Sequence, residues 1–158
     1  MSIIGLIPAR GGSKSIRNKN IVNFLDKPLL GHVADSAKKS KLLSHIICST
    51  DDKKIMKVAD LHNAKCVFTS KKHVNGTDRI SEALKKMKKK FDLIIDIQGD
   101  EPLINPKHID KLIKFHLKNL DTDIVIPSLA IKNFKNKNLV KIVANTNNDI
   151  LYLSRQEI

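Results

Sequence analysis

Residues 2–20 read SIIGLIPARGGSKSIRNKN, and the fold follows from how that stretch divides. A short apolar run, Ile3, Ile4, Leu6 and Ile7, closes on Pro8 and gives way to a loop holding Arg10, Gly11, Gly12, Lys14, Arg17 and Lys19. An apolar run bounded by turn residues predicts a buried strand. A strand ending in a glycine-rich basic loop is a natural seat for phosphates, because glycine lets the backbone approach an anion and the cations offset its charge. The loop is not a P-loop. That motif reads G-x-x-x-x-G-K-[ST], whereas here Ser13 separates Gly12 from Lys14. The residues alone leave open a phosphate loop of another kind and a basic surface connection.

Outward from this stretch, the apolar periods alternate. Leu29, Leu30, Val33, Ala34 and Ala37 stripe a helix that starts just after Pro28. Residues 45–49 form a second strand, and Thr50-Asp51-Asp52 turns into a helix carrying Ile55, Val58 and Ala59. Residues 65–69 form a third strand, followed by a loop over 70–77 (SKKHVNGT) with no hydrophobic period. Asp78 is expected to open a third helix, with Ile80, Ala83, Leu84 and Met87 on one face. Residues 93–97 make a fourth strand, 98–105 a loop, and Pro106 leads a helix bearing Ile109, Leu112, Ile113 and Leu117. Three more strands are expected at 124–130, 139–144 and 150–154. This order predicts an α/β fold with a mainly parallel sheet and helices on both faces. Right-handed crossovers then put the strand C-termini on one side, where ligands bind in open α/β sheets. The loops at 8–20, 50–51, 70–79 and 98–101 are therefore expected to share one site. A length of 158 residues suits a single domain over 1–158, with no repeat or linker.

Composition narrows the classes. No apolar run approaches a membrane span and no leader is visible, which reads as cytoplasmic. Aromatics are only 4% and Trp is absent, so the core rests on Ile, Leu and Val. Cys48 and Cys66 sit in apolar strand-like runs without metal-ligand spacing, which reads as core packing. The net charge of +13 raises the question of nucleic acid. All but four of the 29 cations are Lys, spread along the chain, and the dense cluster at 85–90 ends a helix, where cations suit the dipole. With few aromatics to stack bases, a solvated surface is the better reading and nucleic-acid binding is not expected.

Two further loops carry chemistry. His73-Val74-Asn75-Gly76-Thr77-Asp78-Arg79 joins a Gly to hydroxyl, acid and base. One reading is a helix start capped by Thr77 or Asp78, with Glu82 at the capping-box position. The other is an anion site, with Arg79 as a bidentate clamp near a helix N-terminus. Asp96-Ile97-Gln98-Gly99-Asp100-Glu101-Pro102-Leu103 places two carboxylates at a strand tip in a strongly basic chain. That suits Mg²⁺, which takes one or two protein carboxylates and fills its shell with phosphate oxygens and water.

These three motifs together resemble the sugar-acid cytidylyltransferases, the enzymes that make CMP-sialic acid and CMP-Kdo. The run IPARGGSKSIRNKN is similar to the sialic-acid form of their first loop, with Pro8, Ala9, Arg10, Ser13, Lys14, Lys19 and Asn20 matching. The second loop resembles the His-x-x-Gly-Thr-Asp-Arg signature of the CMP-Kdo synthetases, and the third their Val-Gln-Gly-Asp-Glu-Pro motif. Residues 139–143 and 150–155 are similar to the family's Val-Lys-Val-Val and Tyr-Phe-Ser-Arg stretches. The resemblance implies a Rossmann-like three-layer α/β/α nucleotide-diphospho-sugar transferase fold. It also implies transfer of CMP from CTP to a 2-keto sugar acid, Kdo or a close relative, with Mg²⁺ as cofactor.

By that resemblance Arg10 and Lys19 neutralise the triphosphate and pyrophosphate, with Lys14 and Ser13 assisting. Ala9, Ser70 and Gly76 frame the nucleoside, and Asp100 holds the metal. Arg79, Gln98 and Glu101 face the sugar acid. A sialic-acid-like substrate and a non-catalytic nucleotide- or nucleic-acid-binding module are the alternatives. Family members continue further, so a homodimer is expected of a longer protein whose second metal-binding acid lies beyond residue 158.

Overall fold

β1 (Ile3–Ala9) is buried on both sides: Ile3, Ile7 and Ala9 belong to one apolar cluster, Ile4 and Leu6 to another. The computed structural model describes residues 1–13, 16–131 and 135–157. Its chain divides into two units, Met1–Leu120 and Asp121–Ile158. In the first, β1 leads through a 3-10 turn (Lys19–Ile21) to a small antiparallel ribbon, β2 (Asn23–Phe24) with β3 (Lys27–Pro28). There follow α1 (Leu29–Ala37), β4 (His45–Thr50), α2 (Lys53–Leu61), β5 (Lys65–Phe68), α3 (Gly76–Met87), β6 (Leu93–Asp96) and α4 (Pro106–Lys118).

The main sheet runs β5-β4-β1-β6 and every pairing in it is parallel. From β1 the chain steps outward to β4 and β5, then returns across the sheet to β6. Right-handed crossovers in opposite directions put their helices on opposite faces. Accordingly α1 and α2 pack on the face with Ile3 and Ile7, while Ile80 and Ala83 of α3 pack on Ile4, Leu6 and Ile47; α4, which follows the last strand of this sheet, joins α1 and α2. The expected three-layer α/β architecture is present.

Local details explain the element ends. The Ile97 N–H donates to the Leu6 carbonyl on the β6 side. Pro8, two residues on, points its missing N–H the same way, beyond the last β1–β6 pair at Leu6↔Asp96. A Pro is therefore tolerated in the central strand. Asp52 caps α2 by accepting from Lys54 N, and Asn105 caps α4 with Pro106 in the first turn. The start of α3 differs from expectation. Asn75, not Thr77 or Asp78, is the N-cap and accepts from Asp78 N at 2.8 Å. Glu82 makes no capping box, because its carboxylate is drawn away to Ser70, His73 and Lys86.

Two polar staples tie the helical layer. Asp110 of α4 accepts from Ser40 Oγ and from the Lys41 and Leu42 N–H groups, closing the loop after α1. Burial alone would raise its pKa, but these hydrogen bonds outweigh that and hold it below the usual carboxylate value. Asp35 of α1 accepts from Lys27 and meets the His62 ring at the end of α2. Cys48 and Cys66 are free thiols in register on β4 and β5. The adjoining Cys66 side chain and burial push the Cys48 thiol well up, as suits core packing rather than reactivity.

In the second unit, β7 (Lys141–Ala144) and β8 (Ile150–Ser154) form an antiparallel hairpin with an irregularity between Val143 and Ala144. Lys141 is buried within the unit and gives its ammonium to the carbonyls of Asn136, Arg155 and Gln156. The strand expected at 124–130 does not form. Those residues are largely exposed and join no ladder, so no partner satisfies the backbone groups that a strand must pair.

Helices α1 and α2 meet across Gly31, where a Cβ would stand 2.5 Å from His62 Nε2. The ring is held by Asp35, so it cannot swing aside freely. Gly31→Ala should therefore destabilise the protein by about 1–3 kcal/mol despite alanine's better helix propensity. Urea unfolding of the two proteins measures this, and equal or greater stability in the variant would contradict the close packing.

Candidate functional site

The chain reverses its direction of travel across the sheet between β1 and β6, and a crevice opens beyond their C-terminal ends. Such a reversal is where open α/β sheets bind ligands. A cavity of about 310 Å³ lies there. From the end of β1 and the loop after it the cavity is lined by Pro8, Arg10, Ser13, Lys19 and Asn20. The loop before α3 and its first turns bring His73, Val74, Asn75, Gly76 and Arg79, and the loop after β6 brings Gln98, Gly99 and Asp100.

Of the residues expected from the sequence, Arg10, Ser13, Lys19, Gly76, Arg79, Gln98 and Asp100 meet in this cavity. Ala9, Ser70 and Glu101 do not line it. Ala9 is buried at the end of β1 in the core. Ser70 gives its N–H to Glu82 and accepts from Lys72 N. Glu101 is exposed, one residue past the lining, with its N–H on the Gln98 carbonyl. Lys14 lies outside the described residues.

The first loop is pinned from several sides. Asn20, buried, donates its side-chain amide to the Arg10 carbonyl at 3.0 Å. Gly11 N–H donates to Asp51 Oδ1 at 2.8 Å, from the turn after β4. Asn18 adopts a left-handed conformation with φ 56° and starts the 3-10 turn that carries Lys19. The Lys19 ammonium forms an ion pair with the Asp100 carboxylate, so cation and acid face each other across the crevice. On the third loop, Gln98 donates to Asp96 Oδ1 at 2.9 Å.

Arg79 is more constrained than a free anion clamp. It is 3% exposed, and its guanidinium donates to Asp51 at 3.1 Å and to Thr69 Oγ1 at 2.5 Å. Three of its five donors are left by these two bonds. The second loop is held by Glu82, which accepts from Lys86, Ser70 N and His73. These donors lower its pKa to about 2. Sequence reading missed Asp51, Thr69 and Glu82 as site supports, and His73 as a lining residue. Asp51 had one visible signal, since an acid follows the end of a central strand there.

The donor set can be tested against a metal. Among the described residues no three of His, Cys, Asp and Glu gather as a metal cage. Among the described residues Asp100 alone offers a carboxylate to the cavity, beside Arg10 and Lys19. One carboxylate amid cations fits a Mg²⁺ that arrives with phosphate oxygens, not a resident metal in an all-protein cage. No helix of the described residues is long and apolar enough to cross a membrane.

Comparison with known proteins gives the family and the fold. A family model described as Cytidylyltransferase matches residues 4–158. The chain is 37% identical over 167 residues to a 3-deoxy-manno-octulosonate cytidylyltransferase of Thermodesulfovibrio yellowstonii, covering all of this chain and 65% of that protein. It is 36% identical to the mitochondrial 3-deoxy-manno-octulosonate cytidylyltransferase of Arabidopsis thaliana, covering 97% of this chain and 53% of that one. The solved structure of a CMP:2-keto-3-deoxy-manno-octonic acid synthetase complexed with CTP superposes with a TM-score of 0.85 at 29% identity, covering 100% of this chain and 66% of that one. A cytidylyltransferase of Leptospira borgpetersenii follows with a TM-score of 0.65 at 27% identity, covering 75% and 50%. The chain thus spans between about half and two thirds of the length of these relatives.

The Glu82 hub sets a pH dependence. Its folded pKa, about 2, lies below the unfolded value of 4.5, so the carboxylate stabilises the fold fully above pH 4.5 and loses that as pH falls toward 2. Glu82→Gln should be less stable than the parent at neutral pH, and the gap should close on acidification through that window. Thermal unfolding of both proteins at stepped pH reads it, and a gap that stays constant would remove Glu82 from the loop's support.

Proposed function

We propose a reaction for this chain, which belongs to the cytidylyltransferase family: transfer of CMP from CTP to the anomeric hydroxyl of 3-deoxy-manno-octulosonate, with release of pyrophosphate. The observation that carries the proposal is the meeting of three loops in one cavity at the sheet's switch point, with two cations, a carboxylate and a buried arginine facing inward. The similarity to Kdo enzymes supports the choice of sugar acid over a sialic acid, although the first loop by itself looks like the sialic-acid form.

The chemistry is phosphoryl transfer, in which positioning and charge stabilisation supply most of the rate. Arg10 and Lys19 neutralise the triphosphate and then the charge that builds on the departing pyrophosphate. Their loop is fixed beforehand by Asn20 and Asp51, so little reorganisation is needed as charge develops. Gly76 and the start of α3 leave room for the nucleoside. Arg79 offers its remaining donors to the sugar acid's carboxylate, and Gln98 offers its amide to a hydroxyl. Asp100 would hold a divalent cation, Mg²⁺ by the hardness of the donors. Bound there, the ion would polarise the α-phosphate, and Lys19 would be released from Asp100 to meet the β- and γ-phosphates. For the whole protein we extend the proposal to a homodimer, which the exposed Leu151, Tyr152 and Leu153 of β8 favour.

The deciding experiment is pyrophosphate release by the whole protein with CTP and a panel of 2-keto sugar acids. Turnover should require CTP and be highest with 3-deoxy-manno-octulosonate. Faster turnover with N-acetylneuraminate would shift the reading to the sialic-acid class. Tighter binding of ATP or GTP than of CTP would end it.

Two variants follow from the site. Asp100→Asn keeps the size and removes the charge a hard cation needs, so turnover at ordinary Mg²⁺ should fall by about a hundredfold while folding survives. Lys19→Ala should weaken CTP binding most at low salt, since an exposed ion pair with phosphate is screened as ionic strength rises. Titration at two salt concentrations checks the second, and an affinity insensitive to the substitution would take Lys19 out of the phosphate site.

A further inference from the structure

We propose that Asp51 is a positioning residue for this site, a single buried carboxylate that joins the loop after β1 to the Arg79 guanidinium. It rests on the reaction above only for the roles of the two parts it joins. The geometry stands apart from that. Asp51 does not line the cavity, but Arg79 does, as do Arg10 and Ser13 on either side of the glycine pair. One oxygen of Asp51 accepts from Gly11 N–H at 2.8 Å, and the other from Arg79 Nη2 at 3.1 Å. Thr69 Oγ1 accepts from Arg79 Nη1 and fixes the guanidinium's plane from the end of β5. Asp51, Thr69 and Arg79 are all buried, so solvent competes little for these bonds.

Close approach makes the link specific. A Cβ on Gly11 would stand 2.6 Å from Asp52 Oδ2 and 2.9 Å from Asp52 Cβ. The loop is thus pressed against the turn between β4 and α2, and a side chain at position 11 would lift its N–H off Asp51. Only a carboxylate can serve both donors. An asparagine there has one acceptor oxygen and an NH₂ group, so whichever way the amide turns, its N–H faces either Gly11 N–H or the guanidinium. Asp51 also offsets the charge of Arg79, which would otherwise lie nearly solvent-free and unpaired in the cavity wall.

The link makes two substrate pockets move together, and variants can separate the arms. In the whole protein Gly11→Ala should raise KM for CTP alone, because it lifts only the phosphate loop. Thr69→Val should raise KM for the sugar acid alone, because it frees only the guanidinium. Asp51→Asn should raise both and lower kcat about tenfold or more, as displacements on the order of 1 Å cost roughly a hundredfold. The Gly11 amide proton resonance should also move upfield in Asp51→Asn, as expected when a charge-assisted hydrogen bond is lost.

A folded Asp51→Asn with unchanged kcat and both KM values would overturn the proposal, as would an unmoved Gly11 resonance. If Asp51→Asn does not fold, the single-arm variants decide. Combined in one protein, non-additive changes in the two KM values support the link, and additive changes, or no change in either KM, overturn it. Should the parent protein release no pyrophosphate from CTP and 3-deoxy-manno-octulosonate, the reaction is wrong, and the Gly11 resonance still decides the role of Asp51.

Discussion

Everything in the first unit depends on β1 being hydrogen-bonded on both sides and buried on both faces. A strand in that position has no edge for solvent and no face for polar side chains. Its C-terminal end is the one place where its sequence can turn polar, and there it does so abruptly at Arg10. Because the chain leaves β1 toward β4 while β6 pairs on the other side of β1, no direct connection joins the ends of β1 and β6. The crevice is therefore a consequence of strand order, and the charged residues occupy a gap that topology had already opened.

Electrostatics then decide which arrangement of charges is tolerable in that gap. Arg79 and Asp51 are buried as a pair. Losing one partner of such a pair costs about 3–5 kcal/mol, because the other charge stays buried without compensation. By contrast Lys19 and Asp100 keep roughly a third of their side chains exposed, and their contact is worth little to stability. The site thus has a rigid charged layer behind and an exchangeable one in front. That division suits a substrate carrying several negative charges and its own cation. On the proposed reaction the front pair would part to meet phosphate and metal, while the rear pair holds the loop after β1 to the start of α3.

Much of this architecture was legible in the residues themselves. The apolar run from Ile3 to Ile7, the stripe from Leu29 to Ala37 and the Ile80-Ala83-Leu84-Met87 face are local periodic signals, and each became the element expected. Pro106 and Asn105 marked the start of α4 for a local reason as well, a preset φ and a capping side chain. The loops holding Arg10, Gly76 and Asp100 could be placed on one side of the sheet because each follows a strand, whereas their residues alone also suited a basic surface loop and a capped helix start. The stretch at 124–130 shows the limit: its apolar residues have strand propensity, but a strand exists only where a neighbour offers a ladder.

What local sequence could not contain is which partner each polar side chain would find. Glu82 sits at a capping-box spacing, yet it serves Ser70, His73 and Lys86, because the loop before α3 folds back over that helix and brings better donors. Arg79 looks like an open anion clamp in sequence, and its commitment to Asp51 and Thr69 arises only when the ends of β4 and β5 stand side by side. Hydrophobic period and turn chemistry are properties of neighbours along the chain, so strands, helices and candidate loops could be read from order alone. Ion pairs and hydrogen bonds such as Asp51 to Gly11, 40 positions away, join residues that share nothing until the sheet is assembled, and these only the tertiary structure decided.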